Sequence, residues 1–189
     1  ITSMYPSIIM SLNISPETKI GKIEGWNPEE FIAGRNKTYS IIMNGKKKGQ
    51  FTETELKDFF DKNQVSVSNN GIIYRTDKQG LIPTLLSEWF DKRKEFRKLA
   101  KKFGDAGDEE QYGYFNRRQH IQKIVLNSLY GVLGLPVFRF YDVDNAEATT
   151  VTGQELIKFT EKIANFYYNK QLGDKEDYCI YTDTDSVFY

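Results

Sequence analysis

The stretch from Pro83 to Tyr130 carries two successive helical periodicities, and no other feature limits what this chain can fold into as tightly. In the first, Leu85, Leu86, Trp89, Phe90, Phe96, Leu99, Ala100 and Phe103 recur at helical spacing, with Pro83 where a helix is free to begin. Gly104-Asp105-Ala106-Gly107-Asp108 breaks that pattern, and a second helix is predicted from about Glu109 to Tyr130, ending at Gly131. Two long helices joined by a short Gly/Asp loop fold back as an antiparallel hairpin.

The first of these helices is strongly basic. Seven Lys/Arg (residues 92, 93, 94, 97, 98, 101 and 102) face only Asp91 and Glu95 over its second half. The whole chain, by contrast, balances 26 Lys+Arg against 26 Asp+Glu, which excludes a uniformly basic coat protein and requires any nucleic-acid contact to use locally segregated charge. One Cys and one His exclude a disulfide framework and a structural zinc site, so a reducing, cytoplasmic compartment is the default expectation. No apolar run approaches the roughly 18 residues of a membrane span, and the start lacks the basic-then-apolar order of a signal peptide. At 189 residues the chain is long enough for one domain or slightly more. Both ends are expected to be cut from something longer, because the chain opens at Ile1 and closes at Tyr189 within an apparent strand.

Outside the hairpin the patterns are mixed. Ile1 to Met10 suggests an incoming strand, a turn at Thr2 to Tyr5, and a helix from Pro6 to about Asn13. Thr52-Glu53-Thr54-Glu55 has the form of a capping box, and VSVSNNGIIYR places an Asn-Gly turn between alternating apolar residues. VFRFYDV after Gly134 alternates like a strand, Gln154 to Asn169 reads as an amphipathic helix, and Tyr178 to Tyr189 as a hairpin around Asp183-Thr184-Asp185.

Three groups of residues have chemical possibilities. Asp183 and Asp185 at a tight turn suit a hard dication, although an ordinary polar turn has the same composition. Lys123, Asn127 and Tyr130 share one helical face, a stripe able to hold phosphate, base edge and base face, or simply to meet solvent. Arg93 and Arg97 lie one turn apart, and an antiparallel return brings that region beside Lys123, where an arginine fork suits phosphate. The turn at Ser3, Met4 and Tyr5 aims backbone N–H groups outward at a helix start, where an anion is favoured.

SMYPSII, KIVLNSLYG and YTDTDS, in that order, resemble the polymerase motifs S-L-Y-P-S-I-I, K-x-x-x-N-S-x-Y-G and Y-G-D-T-D-S of family B DNA polymerases. SLNISPET, GLIPTLL, KRKEFRK and the TGQ around Gly153 are most similar to the tailed-bacteriophage replicative members. The resemblance implies an α+β fold: a palm, an antiparallel sheet backed by helices, from residues 1–81 and 134–189, with a fingers helical hairpin at 82–133 inserted. It implies attack of a primer 3′-OH on a dNTP with two Mg²⁺ ions, held by Asp183 and Asp185, Asp185 being the stronger ligand. Asp183, Asp185 and Lys123 form the implied catalytic set. Ser3, Met4 and Tyr5 would cradle the β- and γ-phosphates, with Tyr5 also excluding a 2′-OH. Arg93 and Lys123 would clamp the triphosphate with help from Arg97, and Asn127 and Tyr130 would floor the base-pair pocket. Implied partners are primer–template DNA, dNTP, thumb and exonuclease domains, and a sliding clamp reached through regions outside this chain, with no membrane; the compartment is the cytoplasm, a host's if the source is viral.

Two departures from the family pattern stand out. The Asp that opens its first motif would stand just before Ile1, so the chain as given is expected to be inactive. Thr182 replaces the usual Gly before the metal turn. Cys179 and His120 are given no catalytic role. A protein-primed member of the family, or a non-catalytic nucleic-acid-binding module derived from one, would share the same motifs.

Overall fold

The computed structural model describes residues 3–35 and 37–189, so the expected turn residue Thr2 and the strand before Ile1 lie outside it. The helical hairpin is present as α4 (Leu81–Asp105) and α5 (Glu109–Leu133). α5 runs through Gly131 and stops at Gly134, one turn later than the sequence predicted. The two helices interlock through Phe103 and Phe115, whose rings stack at 5.5 Å, and through Tyr112 packed on Gly104.

Residues 19–75 build a five-stranded antiparallel sheet in the order β3-β2-β1-β5-β4, from β1 (Lys19–Glu24), β2 (Tyr39–Met43), β3 (Lys46–Phe51), β4 (Val65–Val67) and β5 (Ile72–Arg75). The β4–β5 hairpin turns at Asn-Gly as its sequence predicted, with Gly71 at φ 82°. The capping box on α3 (Glu53–Asn63) is complete: Glu55 N–H donates to Thr52 Oγ1, and the Thr52 N–H donates to Glu55. Side chains alternate across β5 as a strand requires. Ile73 enters an aromatic-rich core with Ile23, Tyr39, Ile41, Leu56, Trp26 and Phe31, while Ile72 and Tyr74 join the main core of helices.

That main core gathers α1 (Met4–Leu12), α4, α5 and α6 (Val143–Leu172). α1 begins at Met4, two residues earlier than predicted, because Ser3 takes the N-cap position with φ 62° and ψ 67°. Its other end is fixed by Asn13, 6% exposed. The Asn13 amide donates to the Arg75 and Lys78 carbonyls (2.6 and 2.9 Å) and its oxygen accepts from Gly80 N–H (2.8 Å). One side chain thus ties the end of α1 to the end of β5 and the start of α4.

Two expectations fail. VFRFYDV is not a strand: Leu135, Phe138 and Tyr141 N–H groups bond to Val132, Leu135 and Phe138 carbonyls, making successive turns. Phe138 and Phe140 do pack inward with Arg139 exposed between them, so the alternation was real, but no strand among the described residues pairs with it. α6 starts at Val143 and not near Gln154. Its first turns contain Thr149, Thr150, Val151 and Thr152, poor helix formers, yet Asp142 caps it by accepting from Asn145 N–H, and Thr149 back-bonds to Asn145. The segment is held down by tertiary contacts: Lys19 pairs with Asp142 (2.5 Å) and Asp144 (3.1 Å), Tyr74 donates to Asn145 Oδ1 (2.8 Å), and Asn69 N–H donates to Thr152 (3.2 Å). The α+β class expected from the sequence holds. The larger sheet, however, comes from residues 19–75, while β6 (Tyr181–Asp183) and β7 (Ser186–Phe188) pair only with each other among the described residues. No helix among the described residues is long and apolar enough to cross a membrane.

Candidate nucleotide-binding site

A cavity of about 510 Å³ opens where α1, α4, α5 and the β6–β7 turn meet. Ser3, Met4, Tyr5, Arg93, Lys123, Asn127, Tyr130, Thr184 and Asp185 line it. Four separated stretches of the sequence therefore converge on one space. Of the residues singled out from sequence, Asp183 and Arg97 do not line it. Asp183 is the last residue of β6, one residue back from the turn, and Arg97 lies exposed on α4. Cys179 and His120 do not line it either.

α1 presents its start to the cavity. The left-handed Ser3 followed by helical Met4 and Tyr5 points consecutive N–H groups the same way, and these first-turn donors have no intrahelical acceptor. Pro6 at the next position has no N–H to leave unpaired. The Tyr5 ring packs on Tyr130 at 4.3 Å between centroids. Burial, with the nearby Tyr130 and the Asp185 charge, raises the Tyr5 phenol above its ordinary value, so it stays protonated at any working pH.

α4 contributes a buried cation. Of the seven basic residues between 92 and 102 only Arg93 is buried, at 9% exposure; the others project to solvent. Its Nη1 donates to Ser3 Oγ at a long 3.4 Å, and its Nε has no partner among the described residues. No carboxylate among the described residues pairs with it, and burial together with the Arg97 charge lowers its affinity for a proton. A buried guanidinium held this way is one anion short.

α5 supplies Lys123, Asn127 and Tyr130 from one face, as their spacing predicted, while Leu126 and Leu133 fill the core. Ile121 and Ile124 are 57% and 55% exposed and take no part in that packing. The β6–β7 turn brings in Asp185 beside Thr184, a β-branched residue at φ 42°. Positive φ for such a residue is costly and persists where the surroundings impose it. No sequence signal marks Thr184 as a cavity residue, since a two-residue turn normally places Gly or Asn at positive φ. Thr182 pairs with Val187 within the strand, where a β-branched residue fits.

No group of three or more His, Cys, Asp or Glu side chains gathers among the described residues. Asp183 and Asp185 offer hard oxygens at an exposed turn, and Thr184 donates to Asp183 Oδ1. Mg²⁺ is commonly held by one or two carboxylates with phosphate and water oxygens completing the octahedron, so the donor set fits a site finished by a phosphate ligand.

The sequence matches the family described as DNA polymerase family B over residues 1–189, its whole length. The chain belongs to that family. Relatives include the DNA-directed DNA polymerases of Enterobacteria phage T4 and Escherichia phage RB69, each 30% identical over all of this chain. The DNA polymerase delta catalytic subunit of Candida albicans is 29% identical over 98% of the chain. Among solved structures, the family B DNA polymerase of the archaeon Pyrobaculum calidifontis matches 98% of the chain with a TM-score of 0.63 at 26% identity. This family B chain spans 24% of either phage enzyme, 15% of the Candida subunit and 19% of the archaeal chain.

Proposed function

We propose that this chain forms the nucleotide-binding centre of a template-directed DNA polymerase, which joins a dNTP to a primer 3′-OH with loss of pyrophosphate. The observation that carries the reading is the buried, anion-deficient Arg93 lining one cavity with Lys123, the free N–H groups of α1 and Asp185. Cations and N–H donors facing an acidic turn suit a triphosphate accompanied by dications. In this reading residues 1–81 and 134–189 act as palm and 82–133 as fingers.

The roles follow from chemistry and position. Arg93 and Lys123 bind the phosphates and offset charge on the departing pyrophosphate, with Arg97 adding long-range positive potential from outside the cavity. The N–H groups of Ser3, Met4 and Tyr5 donate hydrogen bonds to the far phosphate oxygens. The Tyr5 ring lies under the sugar and leaves no room for a 2′-OH, while Asn127 and Tyr130 meet the nascent base pair. Two Mg²⁺ ions held by Asp183 and Asp185 would supply activation of the primer hydroxyl and neutralisation of phosphate charge. Primer–template DNA is the further partner, and thumb, exonuclease and sliding-clamp contacts would be made through other parts of the polymerase. We take the cytoplasm, a host's if the source is viral, as the compartment; the single cysteine and the phage relatives support this.

A non-catalytic DNA-binding module is the competing reading, and Asp185→Ala in the full-length polymerase separates the two. Nucleotide addition should fall by at least about 10³-fold with primer–template affinity kept within twofold, because a metal ligand is lost and not a DNA contact. Unchanged addition, or lost DNA affinity, would count against the assignment.

A further inference from the structure

Gly153 lies well inside the 30-residue α6, although glycine is the poorest helix former apart from proline. A Cβ at that position would stand 3.0 Å from Met4 Cε, 3.2 Å from Tyr5 Cε1 and 3.5 Å from Ile8 Cδ1, all three on α1. The absent side chain therefore lets α1 and the Tyr5 ring approach the α6 backbone. Neither helix is free to retreat. α6 is anchored to the sheet through Thr152, Asn145 and Asp142, and α1 is fixed at its far end by Asn13.

We propose that Gly153 is a specificity-determining positioning residue: by having no Cβ it seats the Tyr5 ring against α6 and so sets how far that ring enters the sugar pocket. The inference rests on the sugar-excluding role proposed for Tyr5. A methyl at 153 meets two side chains of different compliance. The Met4 methyl is the end of a flexible chain and can turn aside. The Tyr5 ring is flat and already backed by Tyr130 at 4.3 Å, so a displacement of a few tenths of an ångström is forced on the ring. The ring then intrudes on the space for the deoxyribose, and dNTP binding weakens before chemistry does.

The test uses the full-length polymerase and steady-state incorporation of dNTP and rNTP by the parent, Gly153→Ala, Tyr5→Val and the Tyr5→Val/Gly153→Ala double variant. Gly153→Ala should raise the dNTP KM about three- to tenfold with kcat within about twofold, the pattern left when binding is weakened equally in the ground and transition states. With Tyr5→Val, whose short side chain no longer reaches the methyl, the same change at 153 should leave the dNTP KM unaltered. An unchanged KM for Gly153→Ala, or an equal rise in the Tyr5→Val background, overturns the inference while leaving the Tyr5 role intact. If Tyr5→Val does not increase rNTP use, the sugar-excluding role fails and this inference with it. Should Gly153→Ala be poorly folded, Met4→Leu/Gly153→Ala removes the closest contact, Met4 Cε, and carries the same comparison: a retained KM rise supports the Tyr5 route, and its disappearance refutes it.

Discussion

Replacing Arg93 by Met should have opposite effects on stability and on function. Arg93 as a residue is 9% exposed; among the described residues its guanidinium makes one 3.4 Å hydrogen bond and its Nε is unpaired. Removing such a charge from water costs several kcal/mol per ion, and exchanging buried ionic groups for apolar side chains of similar size has stabilised proteins by about 1–4 kcal/mol. Because the cavity is open and water reaches part of the group, we expect about 1–3 kcal/mol for Arg93→Met. With a urea m-value of about 2 kcal/mol/M for a chain of this size, the unfolding midpoint should rise by about 0.5–1.5 M. The same change removes up to two charge-assisted hydrogen bonds to phosphate, each worth about 1.5–3 kcal/mol. The specificity constant for dNTP in the full-length polymerase should then drop about 10²-fold or more. A lower urea midpoint combined with unimpaired nucleotide use would refute the reasoning, because it would mean that Arg93 is a satisfied structural group and not an anion site awaiting its ligand.

Asn13→Ala should lower stability by about 2–4 kcal/mol in urea unfolding, since it orphans the Gly80 N–H and two carbonyls at a buried junction; a loss below about 1 kcal/mol would show that water replaces the amide. Glu17 governs a pH effect at the start of α4. Burial pushes its carboxyl up, but the Leu81 N–H and Ser15 hydroxyl that it accepts from outweigh this and hold it below the ordinary carboxylate value. A depressed folded-state value means that the contribution is complete above the unfolded carboxylate value near about pH 4.3 and is lost as pH falls through the lower folded value. The stability gap between the parent and Glu17→Gln should accordingly be present at pH 7 and narrow as the pH falls below the ordinary carboxylate range, and a gap independent of pH would remove the carboxylate from the account.

Local chemistry wrote much of this molecule into its sequence. The Thr52–Glu55 capping box, the Asn-Gly hairpin and the two long helices each depend on residues a few positions apart, so spacing alone reveals them. The stripe of Lys123, Asn127 and Tyr130 is legible for the same reason, because helical geometry fixes which residues share a face. The alternation in VFRFYDV misled because burial of Phe138 and Phe140 imposes the same period as a strand, whether or not a partner strand exists. The early start of α6 was hidden because long-range ties from Lys19, Tyr74 and Asn69 outweigh the weak propensity of its threonines.

What only tertiary structure decided is which of many similar residues matter. Seven basic side chains on one helix are equivalent in sequence, and packing against α1 buries Arg93 alone among them. Asn13 and Gly153 carry no local signal of their importance, since one joins segments more than sixty residues apart and the other matters for the atoms it lacks. Sequence fixes the conformation of neighbours through short-range sterics and hydrogen bonding; the company that distant residues keep is set by how whole elements pack.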